Sequence, residues 1–111
     1  MRFIVIGAGR VGLRTARVLR EEGHEVTLVE ADEDRATRAR DDGFDVFEGD
    51  GSHEDLLVDA GVESADAVGA LTGDLNTNFA ACLVGKHHGC RTVMRIDEDY
   101  REGIYQKYAE E

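Results

Sequence analysis

The 111-residue chain has no proline, two cysteines, two lysines and no long apolar run. Each shortage excludes something. With no proline, linker-like stretch, repeat or low-complexity segment, nothing marks a domain boundary. A single domain of this length buries roughly two-thirds of its unfolded surface, and no second catalytic domain fits. No apolar run approaches the ~20 residues of a membrane span, so direct membrane insertion is excluded. The N-terminus opens on a strand-like run, Phe3 to Ile6, instead of a signal-peptide layout, which predicts a cytoplasmic protein. Cys82 and Cys90 form no C-x-x-C, and in an intracellular chain they read as small buried hydrophobes with no ligand or disulfide role.

Lys86 and Lys107 are the only lysines, so arginine carries nearly all the positive charge. Asp and Glu total 24 against 13 basic residues, a formal net charge of −11. Such a field repels nucleic acid and anionic lipid, which removes both as partners. Many acids and few lysines resemble the composition of proteins from salt-loving organisms. That likeness predicts an unfolding midpoint that rises steeply with molar KCl.

What is present is alternation. The strand-like runs are Phe3 to Ile6, "EVTLVE", "FDVFEGD", "ADAVGAL" and "RTVMRI". Between them lie helix-like runs: about 11–22, "ADEDRATRARDDG", a short segment capped by Ser52 with Asp55, "LNTNFAACLVGKHHG", and a last helix over about 98–109. In the first helix Val11, Thr15 and Val18 adjoin Gly12, Ala16 and Leu19 as inward stripes, and Arg14, Arg17, Arg20 and Glu21 face out. Asp32 caps the second helix, Gly43 follows its end, and Asp34 and Arg38 have i,i+4 spacing. The pattern predicts a doubly wound, Rossmann-like parallel sheet in the order 3-2-1-4-5, without a sixth strand, covered by helices on both faces.

The first strand runs into Gly7-Ala8-Gly9-Arg10-Val11-Gly12, a G-x-G-x-x-G hexad placed between strand and helix. Gly7 suits a turn that needs positive φ, Gly9 lets a pyrophosphate approach the backbone, and Gly12 lets the helix pack closely. Arg10 and Val11 belong to the same loop; Arg10 lies over the pyrophosphate or is simply exposed. Helix-terminal amides then face the phosphates. Glu30 ends the second strand, where an acid accepts bonds from ribose hydroxyls. That carboxylate would sit against the extra phosphate of NADP, and no arginine immediately follows it, which predicts NAD(H) over NADP(H). Asp50 and Gly51 either border the adenine or form a plain turn. Thr72 follows the fourth strand at the switch point. Arg95 ends the fifth, facing a phosphate, a partner acid or a local salt bridge.

"FIVIGAGRVGLRTARVLREEGHEVTLVEAD", "GDGSHEDLLVDAGVESADAV", "LTGDLNTNFAACLVGK" and "RTVMRI" together resemble the N-terminal TrkA-N, or RCK, domain, a regulator of K⁺ conductance. Gly7, Gly9, Arg10, Gly12, Glu30, Asp50, Thr72, Asn78 and Arg95 fall on that family's motif positions. The resemblance implies a cytosolic regulatory domain of potassium channels or transporters. It implies gating by NAD(H) or by ATP/ADP, and assembly as homodimers and larger rings. It also implies a position at the inner face of the membrane, held there by a transporter or channel subunit. Glu30 departs from the family's usual Asp. The family's sixth strand, crossover helix and C-terminal ligand domain are missing, so the chain reads as part of a longer protein or as a minimal version.

Catalysis is not expected. Positions 104 and 109, four after Tyr100 and Tyr105, are Ile and Ala, so the tyrosine–lysine pair of short-chain dehydrogenases is absent. His87 and His88 suit a helix C-terminus, His24 and His53 are isolated, and "EADED" and "IDEDY" lack the features of a calcium loop. In the fourth helix Phe79 to Val84 are apolar around much of the circumference. With Ile104, Tyr105 and Tyr108 of the last helix they predict a face for a twin subunit. Two other readings stay open, the nucleotide half of a dehydrogenase and a nucleotide-free interaction module.

Overall fold

Strands and helices alternate along residues 1–96, the portion of the chain that the computed structural model describes. They are β1 (Arg2–Ile6), α1 (Arg10–Glu21), β2 (Glu25–Glu30), α2 (Glu33–Asp41), β3 (Asp45–Glu48), α3 (Glu54–Asp59), a 3₁₀ turn at Val62–Ser64, β4 (Ala67–Ala70), α4 (Leu75–His87) and β5 (Arg91–Met94). The expected last helix lies outside the described residues. All strand pairs are parallel and the order is β3-β2-β1-β4-β5, as the alternation predicts.

β1 is central because it is the most apolar strand, buried on both faces. Its side chains alternate between two cores. Ile4 and Ile6 join Val29, Leu57, Val68 and Ala81 on one side, while Val5 joins Ala16, Leu28, Ala39 and Phe44 on the other. α1 and α2 therefore cover one face, and α3 and α4 the opposite one. No helix of the described residues is long and apolar enough to cross a membrane.

Three local expectations change. Val11 and Val18 are exposed, and the packed stripe of α1 is Gly12 and Ala16, flanked by Leu13 and Leu19. The smallest side chains set the contact line because they let the helix axis approach the sheet. Ser52 does not cap α3; His53 occupies that position, and the Ser52 amide and hydroxyl both donate to Asp50 Oδ1. The Asp34–Arg38 pair does not close among the described residues. The cap on α2 stands as expected: Asp32 accepts from the Arg35 amide, and Gly43 follows with φ +90°.

Candidate functional site

The carboxyl ends of β1, β2, β4 and β5 open onto a crevice, and the glycine loop forms its floor. Gly7 turns the chain at φ +103° and donates its amide to the Val29 carbonyl at 2.7 Å. A Cβ at Gly12 would overlap the Gly7 carbonyl, so the fold itself demands glycine there. Gly9 is different. Its backbone is extended, and a Cβ would meet only the Arg35 guanidinium, at 3.8 Å. Two of the three glycines are thus explained by packing; Gly9 faces space that the protein leaves open. Gly9 is also the N-cap of α1, with no side-chain cap and no acid in the first turn, so the helix-terminal amides remain available to an anion.

Glu30 sits at the end of β2, 7 % exposed. Its Oε1 accepts from the Ala8 amide at 2.6 Å and its Oε2 from the Asp32 amide at 2.9 Å. The carboxylate therefore ties the glycine loop to the start of α2. Each oxygen keeps acceptor capacity beyond that one bond, enough for a hydroxyl donor.

Two adjoining cavities make up the crevice. One, of about 340 Å³, brings together Gly7, Gly9, Arg10, Val11, Glu30, Thr72 and Arg95. The other, of about 390 Å³, adds Asp50 and Gly51 beside Glu30 and Thr72. A Cβ at Gly51 would overlap the Ile6 side chain. Two bonds from Ser52 hold the Asp50 carboxyl below the usual carboxylate range.

Gly12 and Asn78 line neither cavity. Asn78 is 1 % exposed; its Oδ1 accepts from the Thr72 amide and hydroxyl, and its Nδ2 donates to the carbonyls of Thr72 and Arg95. It clamps the ends of β4 and β5 together, so it positions Thr72 and Arg95 from behind. Cys82 and Cys90 are free, buried and raised in pKa by that burial, in keeping with their reading as small hydrophobes.

Arg35 was not among the residues expected here, yet it lines both cavities. It lies in the first turn of α2, three residues past its cap, which carries its guanidinium back over the glycine loop. Arg35 brings a cation into the crevice five positions after Glu30, where no arginine follows the acid directly, while the Glu30 carboxylate that opposes the extra phosphate of NADP lines the same cavities. Arg10, Arg35 and Arg95 gather positive charge at one spot on a chain of net −11. Neither Arg10 nor Arg35 is paired with an acid among the described residues. The crevice can therefore hold phosphates with backbone amides and guanidinium groups, and a sugar with Glu30.

Residues 3–110 match the TrkA-N domain family. A Trk system potassium uptake protein TrkA homolog of Pyrococcus abyssi is 36% identical over 114 residues, covering 99% of this chain and 50% of that protein. Trk system potassium uptake protein TrkA of Vibrio alginolyticus is 41% identical over 86 residues, covering 76% and 19%. The solved structure of the Shewanella denitrificans Kef CTD in AMP-bound form has a TM-score of 0.79 at 22% identity, over 98% of this chain and 67% of that one. The chain spans half the length, or less, of these curated relatives.

Proposed function

The chain belongs to the TrkA-N domain family, and on that premise we propose that it is a nucleotide-sensing regulatory domain of a potassium transporter or channel. It has no catalytic step of its own. The ligand's ADP half lies across the glycine loop, with its pyrophosphate against Gly9 and the α1 amides and its ribose on Glu30. NAD(H) fits this crevice, and ATP or ADP share the half it recognises. Arg10, Arg35 and Arg95 meet the phosphates, Asp50 and Gly51 border the base, and Asn78 holds Thr72 and Arg95 in place.

The single observation that carries this reading is the open space at Gly9, because no packing demand accounts for a glycine there. The relatives' potassium-uptake names supply the transport context; a place at the inner face of the membrane, reached through a partner subunit, is part of the proposal.

The output is conformational. A nucleotide that binds one subunit arrangement tenfold better than another biases it by ~1.4 kcal/mol, within the usual range of allosteric coupling. The homodimer face includes Phe79 and Leu83 on the outer side of α4, the latter 67 % exposed. Calorimetry with NADH, NAD⁺, NADPH, ATP and ADP tests the reading, on the wild type and on Glu30→Ala. One site per chain for an ADP-containing nucleotide, weakened in the variant, supports it; no heat from any of the five overturns it. Light scattering at high salt checks the dimer, and a monomer at high concentration removes it.

A further inference from the structure

A second group of polar side chains lies outside the crevice, where the start of α3 meets the end of α4. Glu54, His87 and His88 each offer one ligand atom there, and these three atoms all lie within 4.8 Å of one another. His88 Nε2 is 3.5 Å from Glu54 Oε2. The two imidazole rings stand nearly perpendicular, at 85°, with centroids 5.1 Å apart. His88 Nε2 is buried yet has no hydrogen-bond partner among the described residues. A buried ring nitrogen in that condition lacks the compensation that desolvated polar atoms normally have. Glu54 and His87 are exposed, so the group is open to solvent on one side.

From this arrangement we infer that Glu54, His87 and His88 form a binding site for a divalent transition-metal cation of the zinc class. Two imidazole nitrogens and one carboxylate oxygen are the donor set that zinc takes when three protein ligands leave a fourth position to water. Bonds of about 2.0–2.2 Å put tetrahedral donors roughly 3.4 Å apart, close to the His88–Glu54 separation. The His87 side chain is exposed, and its ligand atom lies within 4.8 Å of the other two. Magnesium and calcium prefer all-oxygen shells and are poorly served by two imidazoles. The surrounding field of a chain at −11 raises the local concentration of any cation. A bound ion would join α3 to α4, a link that neither the nucleotide crevice nor its occupant supplies.

The experiment titrates ZnCl₂ into the metal-free 111-residue chain in a non-chelating buffer, read by calorimetry, with MgCl₂ as the comparison. One zinc per chain is expected, with a raised melting temperature, and no response to magnesium at the same concentrations. H87Q and E54Q alter exposed side chains and should melt like the wild type without metal; each should weaken zinc binding by about tenfold or more, since even outer-sphere partners are worth that much. H88Q should do the same, while H24Q should bind like the wild type. Substituted Co²⁺ should show no thiolate charge-transfer band. Absence of zinc binding, affinity unchanged in H87Q and E54Q, or a thiolate band from Cys82 or Cys90 would each overturn the assignment.

Discussion

Replacing Glu30 with alanine removes two hydrogen bonds at once, and the structure sets how much that should matter. The bond from the Ala8 amide is 2.6 Å and buried; the one from the Asp32 amide is 2.9 Å and part-buried. Hydrogen bonds to a charged group contribute about 1.5–3 kcal/mol each. The Ala8 amide would be left buried without a partner, whereas the Asp32 amide can turn to water and contributes less. The expected loss is therefore about 2–4 kcal/mol, which in a domain of this size lowers the melting temperature by roughly 10–25 °C. Urea unfolding followed by circular dichroism should show a lower midpoint at an unchanged slope. Saturating nucleotide should widen the gap, because it stabilises the wild type by mass action and the variant much less. A loss below about 0.5 kcal/mol, the usual range for an unremarkable surface change, would refute the idea that this carboxylate holds the glycine loop.

The other perturbations act at separate points. Gly12→Ala drives a Cβ into the Gly7 carbonyl, and the expected loss is about 3 kcal/mol or more, read by the same urea titration. Asn78→Ala strips four bonds from a buried clamp; about 3–5 kcal/mol is expected, together with weaker nucleotide binding in calorimetry although the residue touches neither cavity. A hydrogen bond from Arg17, chiefly, holds the Asp42 carboxyl below the usual range, with Arg20 assisting. A depressed value means that this contribution is present above pH ~3.9 and fades as pH falls through the folded-state value. Asp42→Asn should accordingly lower the melting temperature at pH 7, and by progressively less as the pH falls below the ordinary carboxylate range.

Much of this architecture was legible in the chain itself. Strands broken by helical runs permit only a covered parallel sheet, and the acid at the end of the second strand follows the glycine hexad at the spacing a sugar site requires. The shortfalls share a cause, since each depends on distances across the fold. Val11 and Val18 satisfy a helical wheel, but contact between helix and sheet follows the smallest side chains, Gly12 and Ala16. Ser52 looks like a cap until Asp50, two residues earlier, takes its hydroxyl. Arg35 is one of several arginines in α2; only the angle at which that helix leaves β2 brings it above the crevice. Asn78 is expected from the resemblance alone, and the four bonds behind the cavity wall exist only once β4, β5 and α4 are assembled.

Gly9→Ala separates ligand from scaffold more directly than any other change. The extended backbone accepts alanine, and the new methyl meets nothing closer than a guanidinium at 3.8 Å. Urea stability and NADH affinity, measured on the same sample, should therefore part company: the first unchanged within about 0.5 kcal/mol, the second weakened by roughly tenfold or more as the methyl holds the pyrophosphate off the amides. Equal NADH affinity in the variant and the wild type would mean that no phosphate lies over this loop, and the sensing account would fail with it.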